Sequence, residues 1–288
     1  MSVKTVIKYV GSACSLFDFA HAEGLIDTNP ARGLVGALMP KGRMTTVGAK
    51  PRHSFTMSDI EAIFSSQEYK ALPIDDAMRW VPLIALYSGL RMNEICQMET
   101  SDVLNIDNVP CMKVTVEVGE HQDSGEAQSW ETDEENGFSK RVKTTGSIRT
   151  LPIHPHLVDA GFLSLVERVK TAGKRRVFWQ IGKAKTGYYS DIFTKHFRRF
   201  LQKIGVSSRH KTFHSFRHTF RDACRSARMN DGIAFQLGGW ADGRIGNKYG
   251  MGYEIAELAS ELRKIRYGTF EPQKISWEEM MQSPMKAW

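Results

Sequence analysis

Four short stretches of this chain carry residue types suited to handling a phosphate. In Gly89-Leu90-Arg91-Met92-Asn93-Glu94-Ile95 a glycine ends one helical pattern and Arg91 begins the next. A guanidinium at a helix N-terminus can face a phosphate together with the backbone N–H groups, and Glu94 can hold that arginine in place. The second stretch runs from Lys143 to Ile153, where a lysine on a hairpin can reach a phosphate or a leaving oxygen. In the third, His214-Ser215-Phe216-Arg217-His218-Thr219-Phe220, His214 and Arg217 stand three apart and share a helix face. Phe216 and Phe220 stand four apart and would line a core face. The fourth is Leu237-Gly238-Gly239-Trp240, followed nine residues later by Tyr249. Taken singly, each has a plainer reading. These are an Arg–Glu surface pair, a solvated hairpin lysine, a polar helix edge with one satisfied histidine, a core tryptophan and an ordinary tyrosine near a C-terminal helix.

Taken in order, the four stretches resemble the tyrosine recombinases of the phage-integrase family. The family pattern is Arg, then Lys on a hairpin, then His-x-x-Arg, then His or Trp, then a Tyr nucleophile. Here it falls on Arg91, Lys143, His214, Arg217, Trp240 and Tyr249, with Glu94 and His218 supporting. The GLR-x-x-E form around Arg91 and the HSFRHTF form around Arg217 match. Gly-Gly-Trp stands where many members carry Leu-Gly-His. The resemblance spans roughly Pro51 to Gly268.

The resemblance implies an enzyme that cuts and rejoins DNA without metal or cofactor. Tyr249 would attack in line, leaving a 3′-phosphotyrosine and a free 5′-hydroxyl. Arg91 and Arg217 would fork onto the non-bridging oxygens, and Lys143 would protonate the departing 5′ oxygen. His214 would act as base or stabilise the transition state, and Trp240 would position the phosphate by packing and an indole N–H bond. Double-stranded DNA at an attachment site is the implied partner. Four protomers would act on two duplexes, exchanging C-terminal segments such as Glu254 to Arg266. The free protein would be a monomer, and an accessory DNA-bending protein is a further partner of the reading. Two other readings share parts of the pattern: a type IB topoisomerase-like enzyme, and a non-catalytic DNA-binding remnant of a prophage integrase. The GLR and HSFRH forms favour integrases over the first, and six filled catalytic positions argue against the second. A generic basic RNA-binding protein leaves the ordered constellation unexplained.

These residues need a scaffold, and the hydrophobic pattern predicts one that is mainly α with a small antiparallel β-sheet. The chain has 288 residues, 41% of them hydrophobic, and a net charge of +7. That suits a polyanion partner without choosing among DNA, RNA and an anionic membrane. The charge is uneven. Glu117 to Asn136 holds eight acidic residues and no Lys or Arg, whereas Ser190 to Asn230 holds ten Lys and Arg against Asp191 and Asp222. Arg198, Arg199, Lys203, Arg209 and Lys211 are accordingly candidate DNA-binding residues. The four cysteines are scattered with no CxxC pair, which reads as free thiols in a reducing compartment. No signal pattern opens the chain, and Trp80 to Leu90 is too short to span a bilayer, so the sequence reads as cytoplasmic.

Along the chain, residues 1–34 read as the last helix of a core-binding domain, 35–50 as a linker and 51–288 as the catalytic domain. In the family a whole helical core-binding domain precedes the catalytic one, so the chain reads as truncated on that side, with no arm-binding domain. Val6 to Glu23 is expected as a helix with Val10, Cys14, Leu16, Phe17 and Phe19 on its apolar side, closed by Gly24. Ser58 to Glu61 reads as a capping box. Ile74 to Tyr87 is expected as a helix broken at Gly89, and Arg91 to Met98 as a shorter one. Val103 to Val118 suggests two strands around a turn at Val109-Pro110. The acidic stretch follows as a loop, longer than the family's usual hairpin, and Val142 to Ile153 has strand character. From Pro155 the pattern is helical, with breaks expected at Gly173, Gly187, Gly205, Gly232 and Gly238-Gly239.

Overall fold

The computed structural model describes residues 3–38, 53–115, 140, 147–240 and 252–285. The chain falls into two units, Met1–Pro51 and Arg52–Trp288. The acidic stretch, most of the expected linker, Lys143 and Tyr249 lie outside the described residues.

In the smaller unit, α1 (Val3–Ala22) packs on the short α2 (Leu34–Leu38). Asn29 ties the intervening turn back onto α1. Its amide donates to the Cys14 carbonyl at 3.0 Å and to Asp18 at 2.6 Å, and its oxygen accepts from the Ala31 N–H at 2.7 Å. The apolar side expected for this helix is split. Val6, Val10, Cys14 and Phe17 are half-buried, whereas Leu16 and Phe19 are exposed. Spacings of four and three keep the first set on one stripe, and Leu16 and Phe19 fall outside it.

The larger unit begins with α3 (Met57–Ser65). Its cap is Thr56 rather than Ser58. The Thr56 hydroxyl accepts from the Asp59 N–H, and the Asp59 carboxylate accepts from the Thr56 N–H at 2.8 Å. The box therefore lies two residues before the expected one, and Ser58 sits inside the first turn. After α4 (Gln67–Lys70) comes α5 (Ala77–Ser88), capped by Asp76 and buried along its whole length. Gly89 ends α5 at φ 64°, in the left-handed region that glycine adopts without a Cβ penalty. A Cβ there would lie 2.4 Å from the Phe220 ring. The chain reverses at that contact and enters α6 (Met92–Cys96).

The sheet follows. β1 (Val103–Ile106), β2 (Val109–Val114) and β3 (Arg149–Pro152) form an antiparallel sheet in that order, with Val103 opposite Met112 and Cys111 opposite Pro152. The β1–β2 turn is Asp107-Asn108, both at positive φ (48° and 63°), as a tight hairpin requires. Val109-Pro110 is not the turn. Pro110 lies within β2 opposite Asn105, and its carbonyl accepts from Ile153 N–H at 2.8 Å.

Among the described residues seven further helices follow: α7 (Pro155–Asp159), α8 (Phe162–Thr171), α9 (Ser190–Lys203), α10 (Ser215–Ser226), α11 (Asp231–Gly238), α12 (Ile255–Leu262) and α13 (Trp277–Gln282). Gly232 is not a break, since it stands in the first turn of α11. The packing of α10 on α5 places the site; Phe220 is fully buried against Gly89 at the end of α5, and Phe216 is fully buried among Phe55, Phe64, Phe197 and Phe213. α12 lies on β3 and β2 with Leu258 and Leu262 buried, and Ile265 just beyond its end is buried as well. α13 packs on α8, where the Arg168 guanidinium donates to the Met280 and Ser283 carbonyls. No described helix is long and apolar enough to cross a membrane.

Candidate active site

Arg91 occupies the N-cap of α6. Its backbone N–H donates to Glu94 Oε2 at 3.0 Å and its Nη1 to Glu94 Oε1 at 2.6 Å. Glu94 is a buried carboxylate, its side chain only 2% exposed, so this is no surface pair. Arg91 also donates to Ser147 Oγ at 3.0 Å and, through Nη2, to the Gly239 carbonyl at 3.4 Å.

Arg217 reaches the same carbonyl from α10. Its Nη2 donates to Gly239 O at 3.1 Å and its Nη1 to Gly89 O at 2.6 Å. The two arginines, on different helices, thus converge on one backbone oxygen. Burial pushes the Arg217 pKa down to about 9, with the nearby Arg91 and Arg149 charges adding and Glu94 opposing. A desolvated guanidinium beside two others gains most from an anionic ligand.

Gly239, at φ 59°, caps α11 and turns the chain into Trp240. The Trp240 ring stacks near Phe220 at 6.2 Å and covers the Arg217 guanidinium at 4.7 Å, with Arg221 at 5.5 Å. Such contacts are cation–π pairs that also keep water off the cation. Gly238 permits this, because a Cβ there would lie 2.1 Å from the indole. His214 caps α10 half-buried, its ring 5.0 Å from that of His218, one turn below.

The residues flanking Lys143 and Tyr249 are informative. Lys140 is held by carboxylates, its Nζ 2.7 and 2.8 Å from the two Asp102 oxygens and 2.9 Å from Glu99, with 8% of its side chain exposed. Tyr253 is clamped on α11. Its N–H donates to Gln236 Oε1 at 2.9 Å, its carbonyl accepts from Gln236 Nε2 at 3.1 Å, and its hydroxyl donates to Asn230 at 3.2 Å.

The candidate DNA-binding residues are scattered. Arg198, Arg199 and Lys203 are exposed on α9, with Lys203 3.7 Å from Glu68, and Arg209 is exposed in the following loop. Lys211 pairs with Asp59 at 2.7 Å. Burial pushes the Asp59 carboxyl up, but the bonds from Lys211 and Thr56 outweigh it and hold the group below the usual carboxylate range. Nothing in the described contacts joins these five to the arginine pair.

Sequence reasoning missed Arg149 as a site residue. From β3 it donates to Leu237 O at 3.0 Å, to Ser147 O at 2.8 Å and to Glu94 Oε2 at 3.3 Å. The available signal was an arginine opening a strand six residues after the candidate lysine. Among the described residues no group of three or more His, Cys, Asp or Glu is placed to hold a metal ion.

The site thus gathers three guanidinium groups, those of Arg91, Arg149 and Arg217, around one buried carboxylate and one backbone carbonyl in a mainly helical domain, an arrangement suited to an anionic ligand. The model of the phage integrase family matches residues 53–252, and the chain belongs to that family, the site-specific tyrosine recombinases. Its fold is similar to that of the Tn1549 transposon integrase solved in complex with a circular-intermediate DNA. The TM-score is 0.54 at 17% identity, covering 94% of this chain and 77% of that one. The same integrase with transposon right-end DNA gives 0.53 at 17%, covering 91% and 75%. The integrase of mycobacterium phage Brujita gives 0.47 at 17%, covering 99% and 79%. No curated protein matches the chain.

Proposed function

We propose that this recombinase cleaves DNA through Tyr249, with Arg91 and Arg217 as the clamp on the scissile phosphate. The observation that carries the reading is the convergence of those two arginines on the Gly239 carbonyl. The Tyr249 phenol oxygen bonds to phosphorus as the bond to the 5′ oxygen breaks, with His214 taking the phenol proton and Lys143 supplying one to the departing oxygen. A 5′-hydroxyl then reverses the step on the partner strand, so the phosphotyrosine stores the bond energy. Two guanidinium forks stabilise the charge that grows on the non-bridging oxygens. Lys140 is committed to Glu99 and Asp102, which favours Lys143 as the acid. Tyr253 is committed to Gln236 and Asn230, which favours Tyr249 as the nucleophile. Trp240 holds Arg217 from one side, Glu94 holds Arg91, and His218 backs His214.

The partner in this reading is a double-stranded attachment site, as the Tn1549 integrase is described in complex with DNA. Arg198, Arg199, Lys203, Arg209 and Lys211 would add phosphate contacts. Lys211 would do so only by sharing its charge with Asp59. Four protomers assemble on two duplexes from free monomers, with an accessory DNA-bending protein, in the cytoplasm. Exchange of Glu254 to Arg266 would lift Leu258, Leu262 and Ile265 from their own sheet and dock them on a neighbour. Residues 1–34 serve as the last helix of a core-binding domain and 35–50 as its linker.

The test is single-turnover cleavage of a nicked duplex carrying the attachment site. Arg91→Ala and Arg217→Ala should each slow the covalent adduct by about 100- to 1,000-fold while DNA is still bound. Wild-type cleavage by both variants would reject the clamp.

A further inference from the structure

Arg149 touches three of the four motifs, at Glu94, Ser147 and Leu237-Gly239. Its Nη2 reaches Glu94, the carboxylate that holds Arg91. Its Nη1 and Nε bind the Ser147 and Leu237 carbonyls, joining the end of the hairpin to the end of α11. The Gly239 backbone rests against its guanidinium, for a Cβ at 239 would lie 2.5 Å from Nη1 and 2.6 Å from Cζ. Gly239 in turn offers the carbonyl that Arg91 and Arg217 share. Only 6% of the Arg149 side chain is exposed, and its Nε, Nη1 and Nη2 are each already donated to protein oxygens.

Charge gives this arrangement a second purpose. Glu94 alone beside Arg91 would cancel the cation meant for the phosphate. With Arg149 on its other oxygen, one carboxylate is divided between two guanidinium groups, and Arg91 keeps charge to spare. Burial pushes the Arg149 pKa down and Glu94 pushes it back up, as expected of a cation held by that one carboxylate.

We propose that Arg149 is a positioning residue for strand cleavage: it neutralises Glu94 and fixes the Gly239 carbonyl, so that Arg91 and Arg217 meet the phosphate together. The inference rests on the clamp proposed above.

The experiment uses the full chain and the same nicked duplex, with single-turnover cleavage at saturating DNA, DNA affinity and thermal unfolding measured for each variant. Arg149→Met should cleave about 10- to 100-fold more slowly with affinity little changed. Arg149→Lys should recover part of the loss. The decisive variant is Arg149→Met combined with Glu94→Gln. Removing the carboxylate restores the charge of the pocket, so the double variant should cleave faster than Arg149→Met alone, which a merely structural brace would not produce. If Arg149→Met does not fold, Arg149→Lys compared with and without Glu94→Gln carries the same test. Wild-type cleavage by Arg149→Met, or no gain from Glu94→Gln in either background, would overturn the proposal. Arg91→Ala and Arg217→Ala are run in parallel. Should they cleave normally, the clamp itself fails and this inference with it; should they be slow while the Arg149 variants behave as wild type, only the inference fails.

Discussion

At the scale of single residues, the site depends on backbone carbonyls placed by glycines. The Gly89 carbonyl accepts from Arg217 in a left-handed turn pressed against Phe220. Gly89→Ala should therefore lower stability by at least about 2 kcal/mol, from left-handed strain and from overpacking, read as a lower guanidinium unfolding midpoint. An unchanged midpoint would mean the turn relaxes freely. Trp240 makes a related prediction. Trp240→Phe keeps an aromatic face over Arg217 and should retain most DNA cleavage, whereas Trp240→Ala bares the guanidinium and should lose clearly more; equal loss would point to the indole N–H instead. Arg91, Arg217 and Trp240, which the structure brings together, each sit in a short local motif that the sequence shows. Arg149 was not legible, because its partners Glu94, Ser147 and Leu237 come from three separate segments and nothing in a four-residue strand announces them.

At the scale of elements, the long apolar helices were readable and their edges were not. α5 and α10 follow from 3.6-residue periodicity, while the Thr56 cap and the Asp107-Asn108 turn depended on which of several polar residues won. The His154 cap of α7 was also hidden. Its Nδ1 accepts from the His156 N–H at 3.0 Å and its Nε2 faces the Ile265 carbonyl at 3.2 Å, an arrangement only a neutral ring satisfies. Burial, and then the neighbouring His156, push its pKa down to about 3. Below the ordinary histidine value of about 6.5 the unfolded chain binds a proton that the folded chain refuses. Stability should therefore fall as pH drops through that window, by about 1.4 kcal/mol per unit from this residue, and His156 should add to the slope. His154→Asn, which keeps a capping side chain, should flatten urea-unfolding stability between pH 6.5 and 5; an unaltered slope would show that other groups set it. The Gln236 clamp on Tyr253 is testable by hydrogen exchange. Each bond is worth about 0.5–1.5 kcal/mol, so Gln236→Ala should speed exchange at the Tyr253 amide roughly tenfold and leave Leu262 in α12 protected. Equal exchange in both proteins would remove Gln236 as the anchor.

At the scale of the whole molecule, the proposed DNA partner would meet a net charge of +7 and an arginine cluster, which leads to the expectation that phosphate contacts dominate affinity. Binding to duplex DNA should weaken steeply with salt, by about 1,000-fold between 50 and 200 mM if roughly six phosphates are neutralised; salt-insensitive binding would contradict that. The proposed cleavage joins one tyrosine covalently to DNA. Its most direct test is trapping of the covalent complex on a nicked attachment-site duplex by the wild type, Tyr249→Phe and Tyr253→Phe. The account predicts that Tyr249→Phe binds DNA and forms no adduct, while Tyr253→Phe still forms it. An adduct from Tyr249→Phe, or its loss in Tyr253→Phe alone, would contradict the assignment.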